Sequence, residues 1–90
     1  MKKINIGIIG YGKMGKIREN SFLSSDDVKL ISIFDLNYIE QRDDVIVCES
    51  LDELLNSGID AVFISSYVNT NAEYTIKSLE ANKHVFCEKP

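Results

Sequence analysis

Three glycines, Gly10, Gly12 and Gly15, stand between an apolar run and a helix-like segment, and no other feature of the chain narrows its fold as far. The run before them, residues 4–9, is rich in β-branched residues and is closed by Gly10, so it reads as a short buried strand. Residues 13–24 read as a helix with Met14 and Ile17 on one face and polar residues between. A buried strand that turns on glycine straight into a helix is the setting a dinucleotide fingerprint requires, whereas GxGxxG alone recurs in loops by chance. Each glycine has a task. Gly10 permits the tight turn, Gly12 lets a pyrophosphate approach the backbone, and Gly15 lets the helix pack near the sheet. The amides of Lys13 and Met14, at the positive end of the helix, are then expected to bind the anion.

Asp35 agrees with this reading. It lies 20 residues beyond Gly15, at the end of a second strand over residues 28–34. A carboxylate there accepts hydrogen bonds from both hydroxyls of an adenosine ribose and repels a 2′-phosphate, so the expected cofactor is NAD rather than NADP. Arg42, a little further on, could soften that discrimination, as a minor alternative to it.

The rest of the chain alternates. Residues 45–48, 61–65 and 85–87 read as further strands. Ser50-Leu51-Asp52-Glu53 and Thr70-Asn71-Ala72-Glu73 are capping-box patterns that open two helices. In the first box the Ser50 hydroxyl takes the third helical amide, and Glu53 reaches back to the cap amide. Leu51, Leu54 and Leu55 form the apolar stripe of the first helix, and Ala72, Ile76 and Leu79 that of the second. Gly58 and Asn82 fall where left-handed residues end helices. Connections too long for hairpins predict an α/β fold with a parallel sheet and right-handed crossovers. One connection is short: nine residues separate Asp35 from Val45, enough for a turn but not for a crossover helix.

Composition removes several alternatives. Ninety residues make one small domain at most. With 14 acidic and 10 basic residues the formal net charge is -4, and acids dilute the early cluster of Lys2, Lys3, Lys13, Lys16 and Arg18, so no nucleic-acid partner is expected. Cys48 and Cys87 each lie in an apolar run and read as buried thiols. One histidine, His84, and two distant cysteines make no metal site, and His84 reads as a strand-end packing residue. No run approaches a membrane span, and Lys2-Lys3 leads directly into the first strand with no signal-peptide core, so a cytoplasmic location is expected.

The run 4–15, Asp35, Asp60-Ala61-Val62-Phe63-Ile64 and the closing Ala81-Asn82-Lys83-His84-Val85-Phe86-Cys87-Glu88-Lys89-Pro90 together resemble the Gfo/Idh/MocA oxidoreductases, over essentially the whole chain. The segment from Gly12 to Ile17 is similar to the inositol dehydrogenase branch. The resemblance implies a Rossmann-like, doubly wound parallel sheet of about five strands in the order 3-2-1-4-5. Residues 1–90 would be the amino-terminal part of an NAD(P)-binding domain, truncated before the domain that holds substrate, and inactive alone. It also implies hydride transfer between nicotinamide and a secondary alcohol of a sugar or polyol. Lys89 would be catalytic, beside the reacting carbinol, with Glu88 near the nicotinamide. Ser66 and Tyr67 would border the nicotinamide ribose, with Asn71 on the same side. Gly10, Tyr11, Gly12, Lys13, Met14, Gly15 and Asp35 would complete the cofactor contacts. The chain departs from the family pattern at Ser66-Tyr67, where Thr-Pro is usual, at Asn71, where histidine is frequent, and in the short connection after Asp35. A homo-oligomer or self-association is expected from the apolar surface left at a sheet edge. The rival readings are a non-catalytic dinucleotide-binding or redox-sensing module and an S-adenosylmethionine-binding domain. The Glu88-Lys89-Pro90 ending speaks against both.

Overall fold

Strands covered on both faces carry continuous apolar runs rather than alternating ones. The computed structural model of the chain describes residues 3–37, 40–65 and 68–87, and it shows that arrangement. The elements are β1 (Ile4–Ile9), α1 (Lys13–Leu23), β2 (Val28–Phe34), β3 (Ile46–Cys48), α2 (Leu51–Leu55), β4 (Ala61–Ile64), α3 (Val68–Glu80) and β5 (His84–Cys87). The five strands pair in parallel in the order β3-β2-β1-β4-β5. This is the doubly wound α/β sheet expected from the alternation and from the family resemblance. The strand order reverses between β1 and β4, and the crevice beyond the carboxyl ends of those strands is where such sheets bind ligands.

Two apolar layers cover the sheet. Ile6, Ile8, Leu30, Ile33, Ala61 and Phe63 face α1, and Phe22 meets Phe63 edge-on with ring centroids 6.2 Å apart. Ile9, Phe34, Leu54, Leu55, Val62, Ile64 and Tyr74 form the opposite layer under α2 and α3. The pairing of β1 with β2 shifts register between Ile6 and Gly7.

Both long helices turn a different face to the sheet from the one that apolarity suggests. On α1, Ile17 is 44% exposed while Gly15 and Glu19 are buried. On α3, Ala72, Ile76 and Leu79 are exposed, and Tyr74 and Ser78 are buried. A serine four residues after a tyrosine can enter the core because its hydroxyl is satisfied locally: Ser78 Oγ donates to the Tyr74 carbonyl at 2.7 Å. Thr70 lies inside α3, which begins at Val68, so its capping-box pattern does not mark the helix start. The box at Ser50 does cap α2. Ser50 Oγ accepts from the Glu53 amide at 3.1 Å, while the Glu53 carboxylate accepts from the Glu49 amide, one residue before the cap, at 2.9 Å. Gly58 and Asn82 both take positive φ, 83° and 61°. Apart from the start of α3, strand and helix ends agree with the sequence reading to within one residue. The connection from β2 to β3 forms no helix in its described residues, 35–37 and 40–45.

Cys48 is buried, and burial pushes its thiol up to about 11. Cys87, expected to be buried as well, is exposed: it ends the edge strand β5, beside Thr75 of α3. A thiol reagent at about pH 8 should therefore modify Cys87 roughly a hundredfold faster than Cys48, since the thiolate is the reactive form and access limits it. Two sites reacting at one rate in the native protein would contradict this assignment; mass spectrometry of a labelling time course reads it directly.

Candidate functional site

β1, β2 and β4 are tied together where they end. The Gly10 amide, on a residue with φ 89°, donates to the Phe34 carbonyl at 2.7 Å, and the Ser65 amide donates to the Ile9 carbonyl at 2.9 Å. The Ser65 hydroxyl also donates to the Gly10 carbonyl. The first turn of α1 presses on this junction: a Cβ added at Gly15 would lie 2.5 Å from the Gly10 carbonyl oxygen and 3.2 Å from Ser65 Oγ. At Gly12, by contrast, a Cβ would meet nothing within 4 Å. Gly15 thus serves packing, and Gly12 leaves the outer side of the turn open. Gly12 is also the N-cap of α1; it supplies no side-chain cap, and the first turn carries no acid. The amide end of the helix dipole is therefore offered to whatever sits beyond the turn.

Asp35 closes the other side. Its Oδ2 accepts from the Tyr11 amide at 2.5 Å and its Oδ1 from the Asn37 amide at 2.8 Å. Each carboxylate oxygen has two acceptor directions, so one remains on each for a pair of vicinal hydroxyls. An open cleft of about 390 Å³ lies between the glycine turn and the loop after β2, lined by Tyr11, Gly12, Lys16, Asp35, Asn37, Glu40, Gln41 and Arg42. The Lys16 ammonium stands 5.8 Å from the centre of the Tyr11 ring.

Under the cleft is a cluster of charges. Arg42 forms a two-pronged pair with the buried Glu19, at 3.0 Å and 2.6 Å, and another with Asp44, at 3.0 Å and 2.6 Å. The Tyr11 hydroxyl donates to Glu19 and accepts from Arg42 Nη1 at 3.0 Å. The Arg42 guanidinium holds the Glu19 carboxyl below its ordinary range, against the opposing effect of burial. Burial, reinforced by Glu19, raises the Tyr11 phenol.

Gly10, Tyr11, Gly12, Lys13, Gly15 and Asp35 are gathered at the carboxyl ends of β1 and β2. The Met14 backbone lies in the first turn of α1 and that of Asn71 in α3, but the side chains of both are outside the described residues. Ser66, Tyr67, Glu88 and Lys89 also lie outside them. Their described neighbours, Ser65 and Cys87, follow or end β4 and β5, which pair there through Ile64 and Cys87. The expectation that Arg42 would soften discrimination against a 2′-phosphate meets a different arrangement, because its guanidinium is already paired. Sequence reading passed over Glu19, Lys16, Asn37, Glu40 and Gln41. Glu19 left a usable signal: it stands four residues after Gly15, on the helix face that a packing glycine turns inward.

Among the described residues there is no group of three or more side chains able to hold a metal ion, and no helix long and apolar enough to cross a membrane.

Comparison with known proteins gives a consistent result. The profile of the Gfo/Idh/MocA oxidoreductase family, NAD-binding Rossmann fold, matches residues 4–90. Inositol 2-dehydrogenase from Azotobacter vinelandii is 35% identical over 98 residues, covering 97% of this chain and 28% of that protein. The crystal structure of apo scyllo-inositol dehydrogenase from Lactobacillus casei at 77 K superposes with a TM-score of 0.87 at 33% identity, over 99% of this chain and 29% of that one. The structure of scyllo-inositol dehydrogenase from the same organism with bound NAD(H) and scyllo-inositol gives 0.85 at 34% identity, over 99% and 28%. The chain thus spans less than a third of the length of these relatives.

Proposed function

The chain belongs to the Gfo/Idh/MocA oxidoreductase family, with its NAD-binding Rossmann fold, and from that membership we propose that it is the cofactor-holding part of an NAD-dependent dehydrogenase acting on a sugar or polyol secondary alcohol. The observation that carries the reading is the facing pair of features at the sheet end: an open glycine turn at a helix N-terminus, and a carboxylate fixed across from it through the Tyr11 amide. The turn takes the pyrophosphate on the amides of Lys13 and Met14, with Gly12 leaving room for it. The Asp35 oxygens take the two adenosine ribose hydroxyls, and their charge disfavours a 2′-phosphate.

NAD, when bound, supplies the hydride acceptor; the protein orients it. The nicotinamide half runs toward the ends of β4 and β5, where Ser66, Tyr67 and Asn71 are assigned to its ribose side and Glu88 to the ring. Lys89 is assigned to the reacting carbinol, where a cation favours the alkoxide character that develops as hydride leaves. The relatives named for inositol support a cyclic polyol as the substrate class.

Calorimetric titration with NAD and with NADP tests the cofactor assignment. NAD should bind at least about tenfold more tightly, the effect of a carboxylate facing ribose hydroxyls rather than a phosphate. Equal affinities, or no binding of either, would refute it.

A further inference from the structure

We propose that Glu19 is a positioning residue that sets dinucleotide specificity by occupying the Arg42 guanidinium that a 2′-phosphate would otherwise engage. The inference rests on the NAD-binding reading above and concerns a residue outside the glycine turn and the β2 end.

Arg42 lines the same cleft as Asp35, so its charge stands beside the adenosine ribose. An arginine in such a place would ordinarily attract a phosphate on the 2′-oxygen, because its planar fork matches phosphate oxygens. Here the fork is full. A guanidinium has five N–H donors. Arg42 gives Nε to Asp44, Nη1 to Glu19 and the Tyr11 hydroxyl, and Nη2 to Glu19 and Asp44. Its charge is outweighed as well, by two carboxylates.

The two carboxylates are not equivalent anchors. The Asp44 side chain is 62% exposed and on the same short loop as Arg42, whereas that of Glu19 is 7% exposed and fixed on α1. The Glu19 end of the pair is buried, so it is screened less by salt than the Asp44 end and is held by its surroundings, and Glu19 fixes where the guanidinium rests. Tyr11 locks the arrangement from above, its hydroxyl in the pair and its amide on Asp35. Selection against a 2′-phosphate therefore has two layers: Asp35 repels it, and Glu19 occupies the cation that would have attracted it.

The test is a pair of titrations, NAD and NADP, on the full chain carrying Glu19→Gln, which keeps the shape of the side chain and removes its charge. Wild type is measured first; binding of neither nucleotide would sink the function proposed above, and this inference with it. Given NAD binding by wild type, Glu19→Gln should lower the ratio of the NADP to the NAD dissociation constant about tenfold, as a freed guanidinium meets the phosphate. The gain should fade with added salt. Adding Arg42→Ala to Glu19→Gln should erase it, which a merely structural role for Glu19 would not do. Should Glu19→Gln not fold, by circular dichroism, Asp44→Asn at the exposed partner replaces it, with an expected gain of about threefold. A ratio within about twofold of wild type in the folded variant would overturn the proposal.

Discussion

Gly15→Ala should lower the unfolding free energy by about 3 kcal/mol or more and abolish measurable NAD binding. Ordinary overpacking of a core costs about 1–3 kcal/mol, because neighbouring side chains can move. At Gly15 the obstacle is the backbone carbonyl of Gly10 at 2.5 Å, with Ser65 Oγ at 3.2 Å behind it. That carbonyl accepts the Ser65 hydroxyl, while the Gly10 amide is bound to Phe34. To admit a methyl group, α1 must lift away from the sheet, which moves the amides of Lys13 and Met14 from their place above the turn. Gly12→Ala separates the two effects. Its methyl enters open space, so stability should change by about 1 kcal/mol or less, as at other N-cap substitutions, while NAD binding weakens strongly. Urea unfolding and calorimetry on both variants decide the matter. A Gly15→Ala protein with wild-type stability would mean that the helix does not press on the strand end as described.

Asp35→Ala should weaken NAD binding by about 30- to 100-fold, the loss expected when two hydrogen bonds to a charged acceptor disappear from a partly dry site. It should also destabilise the fold by about 1–3 kcal/mol, because the Tyr11 and Asn37 amides lose their acceptor. Asp35→Asn is the informative companion. A carboxamide has one acceptor oxygen, so it can hold one of those amides but not both, and it no longer repels a 2′-phosphate. Its NAD affinity should fall between wild type and Asp35→Ala while the preference over NADP narrows. Unchanged NAD affinity in Asp35→Ala would remove the carboxylate from the site.

The parts of the fold that follow from local chemistry were legible in advance. Strand positions, the left-handed residues Gly58 and Asn82 and the glycine-turn geometry arise within a few residues of chain, where β-branching, a missing Cβ or a short polar side chain acts directly, and the parallel sheet follows from connections too long for hairpins. The helix faces were not legible, because apolarity is a proxy for burial that fails when other constraints choose the face. On α1 the need of Gly15 to approach Gly10 decides the rotation, and it carries Glu19 inward and Ile17 outward. On α3 a self-satisfied serine and a tyrosine win the core over Ile76 and Leu79. The charge cluster could not be read for a further reason: Glu19 and Arg42 meet across 23 residues of chain, and only the sheet order puts the loop after β2 beside α1.

The loop between β2 and β3, whose described residues form no helix, has a mechanical consequence. A helix between β2 and β3 would have clamped this edge of the sheet with apolar contacts. In its place β3 has three residues, with Ile46 about half exposed, and the loop before it is fastened by Arg42 to Glu19 and to the Tyr11 hydroxyl. Such a margin opens at lower free energy than the centre of the sheet. A dinucleotide bound as proposed, across the glycine turn and this loop, would do more than occupy a cleft. It would splice a loosely held border onto a rigid middle, and part of its binding energy would reappear as protection of that border from local unfolding.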